Sequence, residues 1–323
     1  MKKKIYITRK IPEVGIKMLK KNGFDIDIYK EEKPPAYSKI VSVLKNKKYD
    51  GVVCLLTDKI DKKIFEISPQ TKIFANYAVG YNNIDIVEAK NRNIVVTNAP
   101  GSLDGAVAEH ALALLLSLTT RTVEGDKYLR SGKWTGWGPM QLLGESLFGK
   151  TIGIVGAGHI GYGFAELLYK AFNSKILYFS SKKNEKFEMN FKGEQCTTLE
   201  DLLKKSDVVS IHVPLGPTTH HLINAKNIKL MKKNAVIINT SRGAVIDEKA
   251  LVNALKNKKI AGAGLDVFEF EPKITPGLTK LSNVVLTPHI GSAEKNARDE
   301  MSVIAAQNII DFFAGKTPNN KVN

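Results

Sequence analysis

The sequence predicts an α/β protein built from two doubly wound parallel-sheet domains, and three observations carry that expectation. Short β-rich runs alternate with amphipathic helical stretches over residues 4–97, the same rhythm restarts after Gly149, and a Gly-x-Gly-x-x-Gly turn at Gly156, Gly158 and Gly161 opens the second half. Strand-helix alternation builds a parallel sheet covered on both faces. With 323 residues the chain has length for about two domains, so a ligand-binding cleft between them is expected.

In the first half, strands are expected at 5–8, 24–29, 51–55, 72–76 and 94–97. Pro12 stands where the first helix should begin and Gly23 where it should end, the usual asymmetry of helix termini. One long helix is expected over 103–131, disturbed only by Gly125, and the run Ser-Gly-Lys-Trp-Thr-Gly-Trp-Gly-Pro at 131–139 breaks it. Six further strands are expected at 151–155, 176–179, 208–212, 235–239, 261–267 and 284–286, which suits a doubly wound sheet. Asp247 is a good N-cap for a helix over 248–258, whose last turn is rich in lysine. The closing segment, 293–314, has helical apolar spacing and is long enough to return to the first domain. The expected division is therefore 1–100 with 291–323 as one discontinuous domain and 101–290 as the other.

Bulk composition excludes several classes. A charged fraction of 25% and a hydrophobic fraction of 43% are those of an ordinary globular protein. The formal charge of +16 comes from lysines dispersed along the whole chain, not from a basic stripe with interleaved aromatics, so no nucleic-acid partner is expected. Ala111 to Leu118 is too short to span a bilayer and the basic N-terminus lacks a following apolar run, so neither a membrane segment nor export is expected. The only two cysteines, Cys54 and Cys196, make no disulfide framework and no metal pair, which fits a reducing cytoplasm. His220 and His221 are adjacent, with no carboxylate or cysteine cluster beside them in the sequence, and no metal site is expected. His110 reads as a packing residue of the long helix.

The glycine turn carries the first chemical signal. A strand ending near Val155 would deliver Gly156 into a tight turn, Gly158 would let the backbone approach a pyrophosphate, and Gly161 would let the helix pack on the sheet. The pyrophosphate would rest on the unpaired N–H groups of the helix N-terminus. Three later segments follow or end predicted strands, on the edge where open α/β sheets bind ligands: Asn-Thr-Ser-Arg-Gly at 239–243, Gly-Leu-Asp-Val-Phe-Glu-Phe-Glu-Pro at 264–272, and Leu-Thr-Pro-His-Ile-Gly-Ser at 286–292. One edge thus collects an arginine, a carboxylate and a histidine. Only six of the 48 basic residues are arginines, which sets Arg242 apart from the dispersed lysines.

Those segments, with Asn-Tyr-Ala-Val-Gly-Tyr-Asn-Asn-Ile-Asp at 76–85, Asn-Ala-Pro-Gly at 98–101, Val-Ala-Glu at 107–109 and His-Val-Pro-Leu at 212–215, resemble the D-isomer-specific 2-hydroxyacid dehydrogenases over nearly the whole chain. The resemblance implies a Rossmann coenzyme domain at 101–290, including a dimerisation helix and loop, and a flavodoxin-like substrate domain. It assigns catalysis to Arg242, Glu271 and His289. A guanidinium can grip the carboxylate of a 2-oxo acid through two parallel hydrogen bonds, and an imidazolium can protonate the carbonyl oxygen as hydride arrives. A carboxylate on the other ring nitrogen fixes the tautomer and favours the charged imidazole. Glu269 competes for that role by alternation in an extended segment, and only the motif match prefers Glu271. The resemblance also implies that Val79 and Gly80 bind the substrate carboxylate through backbone N–H groups and that Leu55 faces the substrate.

Around the cofactor the resemblance gathers His159, Ile160, Val213, Pro214, Thr240 and Gly291, with Thr218 and Thr219 at the pyrophosphate and Asp266 at the carboxamide. Where an NAD-preferring corner ends its second strand with an acid, this chain has Ser180, Ser181, Lys182 and Lys183, which would accept a 2′-phosphate. NADP(H) is therefore the expected cofactor, with NAD(H) as the alternative. Gly-Lys-Trp-Thr-Gly-Trp-Gly-Pro at 132–139 is most similar to the glyoxylate and hydroxypyruvate reductase branch, where the second tryptophan, here Trp137, reaches the partner subunit's site. Trp134 and Trp137 filling a dimer interface is the equal alternative, and both readings predict a homodimer. Two rivals stay open: a D-lactate or other D-2-hydroxyacid dehydrogenase, and a nucleotide-sensing corepressor that binds peptides.

Overall fold

The computed structural model describes residues 2–101 and 103–323. They form two units, Met1–Leu103 with Ala293–Asn323, and Asp104–Ser292.

The first unit holds β1 (Lys4–Ile7), α1 (Glu13–Lys21), β2 (Asp25–Ile28), α2 (Tyr37–Asn46), β3 (Gly51–Leu55), α3 (Lys62–Ile67), β4 (Ile73–Tyr77), α4 (Ile86–Asn91) and β5 (Val95–Thr97). The strands pair in parallel in the order β2-β1-β3-β4-β5, the flavodoxin-like order. β3 and β4 are apolar throughout except for Asn76, and every residue of both is buried, as strands covered on both faces must be. The C-terminal helix, Lys295–Phe313, returns to pack on α1. Gly15 permits the crossing, because a Cβ there would lie 2.2 Å from the Ser302 carbonyl oxygen. The last residues then close the β5 edge: Val322 N donates to Val96 O, and the Asn323 side chain bonds Val96 N and Ile94 O.

The second unit begins with α5 (Leu103–Thr119, its first residue at the unit boundary) and α6 (Thr122–Arg130). The single helix expected over 103–131 is thus two, and the break is at Thr120 and Arg121 instead of Gly125. Three features end α5 there. Glu145 N takes the Thr119 carbonyl at 2.9 Å, the Thr120 hydroxyl bonds back to Leu116 O at 2.6 Å, and Arg121 adopts a left-handed φ of 57°. The Arg121 guanidinium then clamps Glu124 in the first turn of α6.

After this come β6 (Thr151–Val155), α7 (His159–Phe172), β7 (Lys175–Phe179), α8 (Glu185–Phe191), β8 (Glu194–Gln195), α9 (Leu199–Lys205), β9 (Val208–Ile211), α10 (Ala225–Ile228), β10 (Val236–Asn239), α11 (Glu248–Lys256), β11 (Gly262–Leu265) and β12 (Val284–Leu286). They build a seven-stranded parallel sheet in the order β12-β11-β10-β9-β6-β7-β8. The chain runs outward from β6 to β8 and then returns to start again at β9. The strand order therefore reverses between β6 and β9, and their carboxyl ends flank the switch point where such sheets bind ligands. β8 was not expected, since two exposed polar residues carry no strand signal. Asp247 does cap α11, its carboxylate accepting from Ala250 N at 3.0 Å. No helix among the described residues is long and apolar enough to cross a membrane.

Candidate active site

The glycine corner sits at the switch point. Gly156 has φ 103°, and a Cβ there would lie 2.7 Å from the His212 carbonyl just beyond β9. A Cβ at Gly161 would meet Gly156 O at 2.3 Å, so α7 approaches the turn as closely as its glycines allow. At Gly158, by contrast, a Cβ would meet nothing within 4 Å, and this N-cap residue gives α7 no side-chain cap. The first N–H groups of α7, with His159 and Ile160 in that first turn, have no intrahelical acceptor. A dinucleotide pyrophosphate fits such a cradle. Thr240 adds a second sign of fit, because its buried Oγ1 finds no hydrogen-bond partner among the described residues.

At the end of β7, Ser180 is half-buried, Ser181 and Lys182 are exposed, and Lys183 pairs with Glu188 at 2.9 Å. The hydroxyl of Thr219 is engaged in its own loop, donating to Pro214 O at 2.6 Å and accepting from Gly216 N at 2.8 Å; Val213 is half-buried and Thr218 exposed nearby. His212 bonds Ser210 through Nε2, and desolvation pushes its imidazole down to about 3, so it is neutral at pH 7.

Three strand ends then carry Arg242, Glu271 and His289. After β10, the Asn239 side chain shapes the loop: its oxygen accepts from Ser241 N and Oγ, and its nitrogen donates to Arg242 O. Arg242 donates to Ser241 O at 2.7 Å, and no carboxylate stands within ion-pair distance of it among the described residues. Desolvation lowers its guanidinium, and the Glu271 charge opposes that. A Cβ at Gly243 would fall 1.9 Å from the Phe268 carbonyl carbon, so only glycine lets this loop cross the segment after β11.

That segment carries both candidate carboxylates, and the structure separates them. Glu271 Oε2 lies 2.8 Å from His289 Nδ1, while its Oε1 accepts from Phe268 N. Glu269 turns instead to His221 Nε2, also at 2.8 Å. Burial pushes the Glu271 carboxyl up, but the His289 hydrogen bond and charge, the Phe268 N–H and the Arg242 charge together bring it below its ordinary value. An ionised Glu271 accepts from Nδ1–H, which leaves His289 Nε2 as the ring nitrogen available to a reacting molecule.

Asp266, the residue expected at the carboxamide, is also tied into the protein itself. It is 1% exposed, and its carboxylate accepts from the Thr287 hydroxyl (2.6 Å), Ile290 N (2.8 Å) and Gly291 N (2.7 Å), with His110 Nε2 3.3 Å away. His110 also lies 2.9 Å from Thr287 Oγ1. These bonds fix the loop that carries His289, whose own φ is a left-handed 55°. His110 and Thr287 were missed as site residues, since no spacing links a residue of α5 to a strand end 177 positions later.

In the first unit, Leu55 ends β3 at 9% exposure. The carbonyls of Val79 and Gly80 are held by the side chains of Asn98 and Asn76, at 2.8 and 2.9 Å, which fixes the turn after β4. Trp137 is 84% exposed.

Residues 112–291 match the family model of the D-isomer specific 2-hydroxyacid dehydrogenase, NAD binding domain. The chain is 50% identical to the glyoxylate reductase of Thermococcus litoralis, over 100% of this chain and 97% of that protein. It is 49% identical to the glyoxylate reductase of Pyrococcus horikoshii, over 100% and 96%. The solved NADPH-dependent glyoxylate/hydroxypyruvate reductase of Sinorhizobium meliloti, in complex with citrate, superposes with a TM-score of 0.86 at 31% identity, covering 99% of this chain and 98% of that one. With the sheet orders and the glycine corner already described, these matches place the chain in the D-isomer-specific 2-hydroxyacid dehydrogenase family.

Proposed function

We propose that the protein is a cytoplasmic, nicotinamide-dependent reductase that converts glyoxylate or hydroxypyruvate to the D-2-hydroxy acid. The observation that carries this reading is the His289–Glu271 pair at 2.8 Å beside a desolvated Arg242 that lacks a carboxylate partner among the described residues. A half-buried, desolvated guanidinium without an anion is costly until an anionic substrate arrives.

Gly156, Gly158, Ile160 and Gly161 hold the pyrophosphate, and a nicotinamide bound there supplies the hydride. Arg242 grips the substrate carboxylate and turns the carbonyl toward His289. In the first unit, Val79 and Gly80 are the proposed backbone N–H donors to a carboxylate, and Leu55 the proposed limit on the substrate's side chain. As negative charge develops on the carbonyl oxygen, His289 Nε2–H donates the proton, and Glu271 stabilises the imidazolium through Nδ1. The relatives' names support the substrate class. A panel of 2-oxo acids tests it: glyoxylate and hydroxypyruvate should show the highest kcat/KM. A preference for pyruvate would indicate a D-lactate dehydrogenase, and no turnover at all would favour a binding protein.

The preferred cofactor is NADP(H). Ser180 stands just past the end of β7 where an acid would repel the 2′-phosphate, and Lys182 is exposed beside it. Because Lys183 is paired with Glu188, Lys182 is the freer cation. Ser180→Asp should lower kcat/KM with NADPH by about tenfold or more, the scale of one lost or repelled charge contact. Equal efficiency of the unsubstituted enzyme with NADH and NADPH would refute the preference. The active form is a homodimer, built on the exposed apolar segment around Trp137.

A further inference from the structure

Outside the reactive trio, one cluster in the second unit joins two adjacent histidines to a carboxylate 48 positions further along the chain. The ligand atoms of His220, His221 and Glu269 all lie within 4.8 Å of one another. The sequence offered only the adjacent histidines; the segment after β11 brings the carboxylate to them. We propose that His220, His221 and Glu269 form a binding site for a first-row divalent transition metal of the Zn2+ or Co2+ type.

Two of the ligands are already set. His221 Nε2 and Glu269 Oε1 are 2.8 Å apart, whereas neighbouring ligands of a tetrahedral zinc stand roughly 3.3 Å apart, from bond lengths of about 2.0–2.1 Å. A metal replacing the shared proton needs only a few tenths of an ångström of movement. Both residues are held from behind. His221 N donates to Ala244 O at 2.9 Å, Asn224 Nδ2 donates to His221 O, and Glu269 exchanges hydrogen bonds with Glu248 through its own N–H and the Glu248 N–H. Partners of this kind orient metal ligands. His220 is exposed and its ring stacks on His221 with centroids 4.0 Å apart, so it can swing in as the third ligand. Water completes the shell.

Two imidazoles and one carboxylate suit Zn2+, Co2+ or Ni2+, and disfavour Mg2+ and Ca2+, which prefer all-oxygen shells. An occupied site would tie the loop after β9, which carries Thr218 and Thr219, to the segment that carries Glu271. The inference is independent of which oxo acid the protein reduces.

The test uses the full-length protein, stripped with a chelator and titrated with Co2+ while its visible d–d absorption is followed, then with Zn2+ in competition. One metal per chain is expected, undisturbed by Mg2+. His220→Gln, at an exposed position that leaves the fold intact, should weaken Zn2+ binding at least about tenfold, and His289→Ala should leave it unchanged. Glu269→Gln should weaken it likewise. Binding unaffected by His220→Gln, binding abolished by His289→Ala, or no stoichiometric binding would each overturn the proposal, the second by moving the metal to the Glu271–His289 pair.

Discussion

Arg242 and His289 divide the proposed chemistry between a fixed charge and a movable proton, and substitution should separate the two. Lysine at 242 keeps the charge but loses the planar fork that binds a carboxylate through two bonds. Arg242→Lys should therefore lower kcat/KM by roughly 10- to 100-fold, the worth of one charge-assisted hydrogen bond, with cofactor affinity little changed. Steady-state kinetics with glyoxylate measures this, and an unaltered kcat/KM would remove Arg242 from substrate binding. His289→Ala should cut kcat about 10²- to 10⁴-fold, the usual contribution of a general acid, while cofactor binding measured by fluorescence titration persists. A mutant that keeps most of its turnover would assign the proton to another group. The residues themselves were legible because arginine and histidine each stood at a strand end in a recognisable segment. The choice of Glu271 over Glu269 rested on the motif match alone, because spacing cannot separate two residues of one extended segment; the folded path puts Glu271 at His289 and Glu269 at His221.

Elements position these groups through contacts that sequence spacing does not record. The rhythm of strand and helix was readable because buried parallel strands are continuous apolar runs bounded by glycine or polar turns. The break between α5 and α6 was hidden, since it depends on Glu145 taking the Thr119 carbonyl from a distant loop. His212, at the end of β9 against the glycine corner, gives this scale a pH signature. Its folded value of about 3 lies below the ordinary 6.5, so between those limits the unfolded chain binds the extra proton. The contribution of His212 to stability is therefore complete above pH 6.5 and is lost as pH falls toward 3. A group shifted this way adds a slope of about 1.4 kcal/mol per pH unit within that window. His212→Asn can keep a bond to Ser210 but cannot titrate, and urea unfolding from pH 4 to 7 should show a shallower dependence for the variant. Parallel curves would mean that His212 takes up its proton as readily in the folded protein as in the unfolded chain.

At the scale of the whole molecule, the segment from Leu129 to Phe148 carries six exposed apolar side chains. Leu129, Trp134, Trp137, Met140, Leu143 and Phe148 are all exposed, with Trp137 at 84% and Met140 at 77%. Beyond α6 the chain here has turns in place of helix or strand, so its own backbone gives little cover to these side chains. Exposed apolar side chains gathered in one segment support the proposed dimer interface. Sedimentation should accordingly find a particle of twice the 35.6 kDa chain mass, and Trp137→Asp combined with Met140→Asp should dissociate it. Trp137→Ala alone separates two roles for this side chain. If Trp137 enters the partner's active site, the variant remains dimeric and its KM for glyoxylate rises while thermal stability barely changes. If Trp137 only fills the interface, the dimer weakens and KM per assembled dimer is unaltered. A monomeric wild-type protein with full activity would rule out both roles.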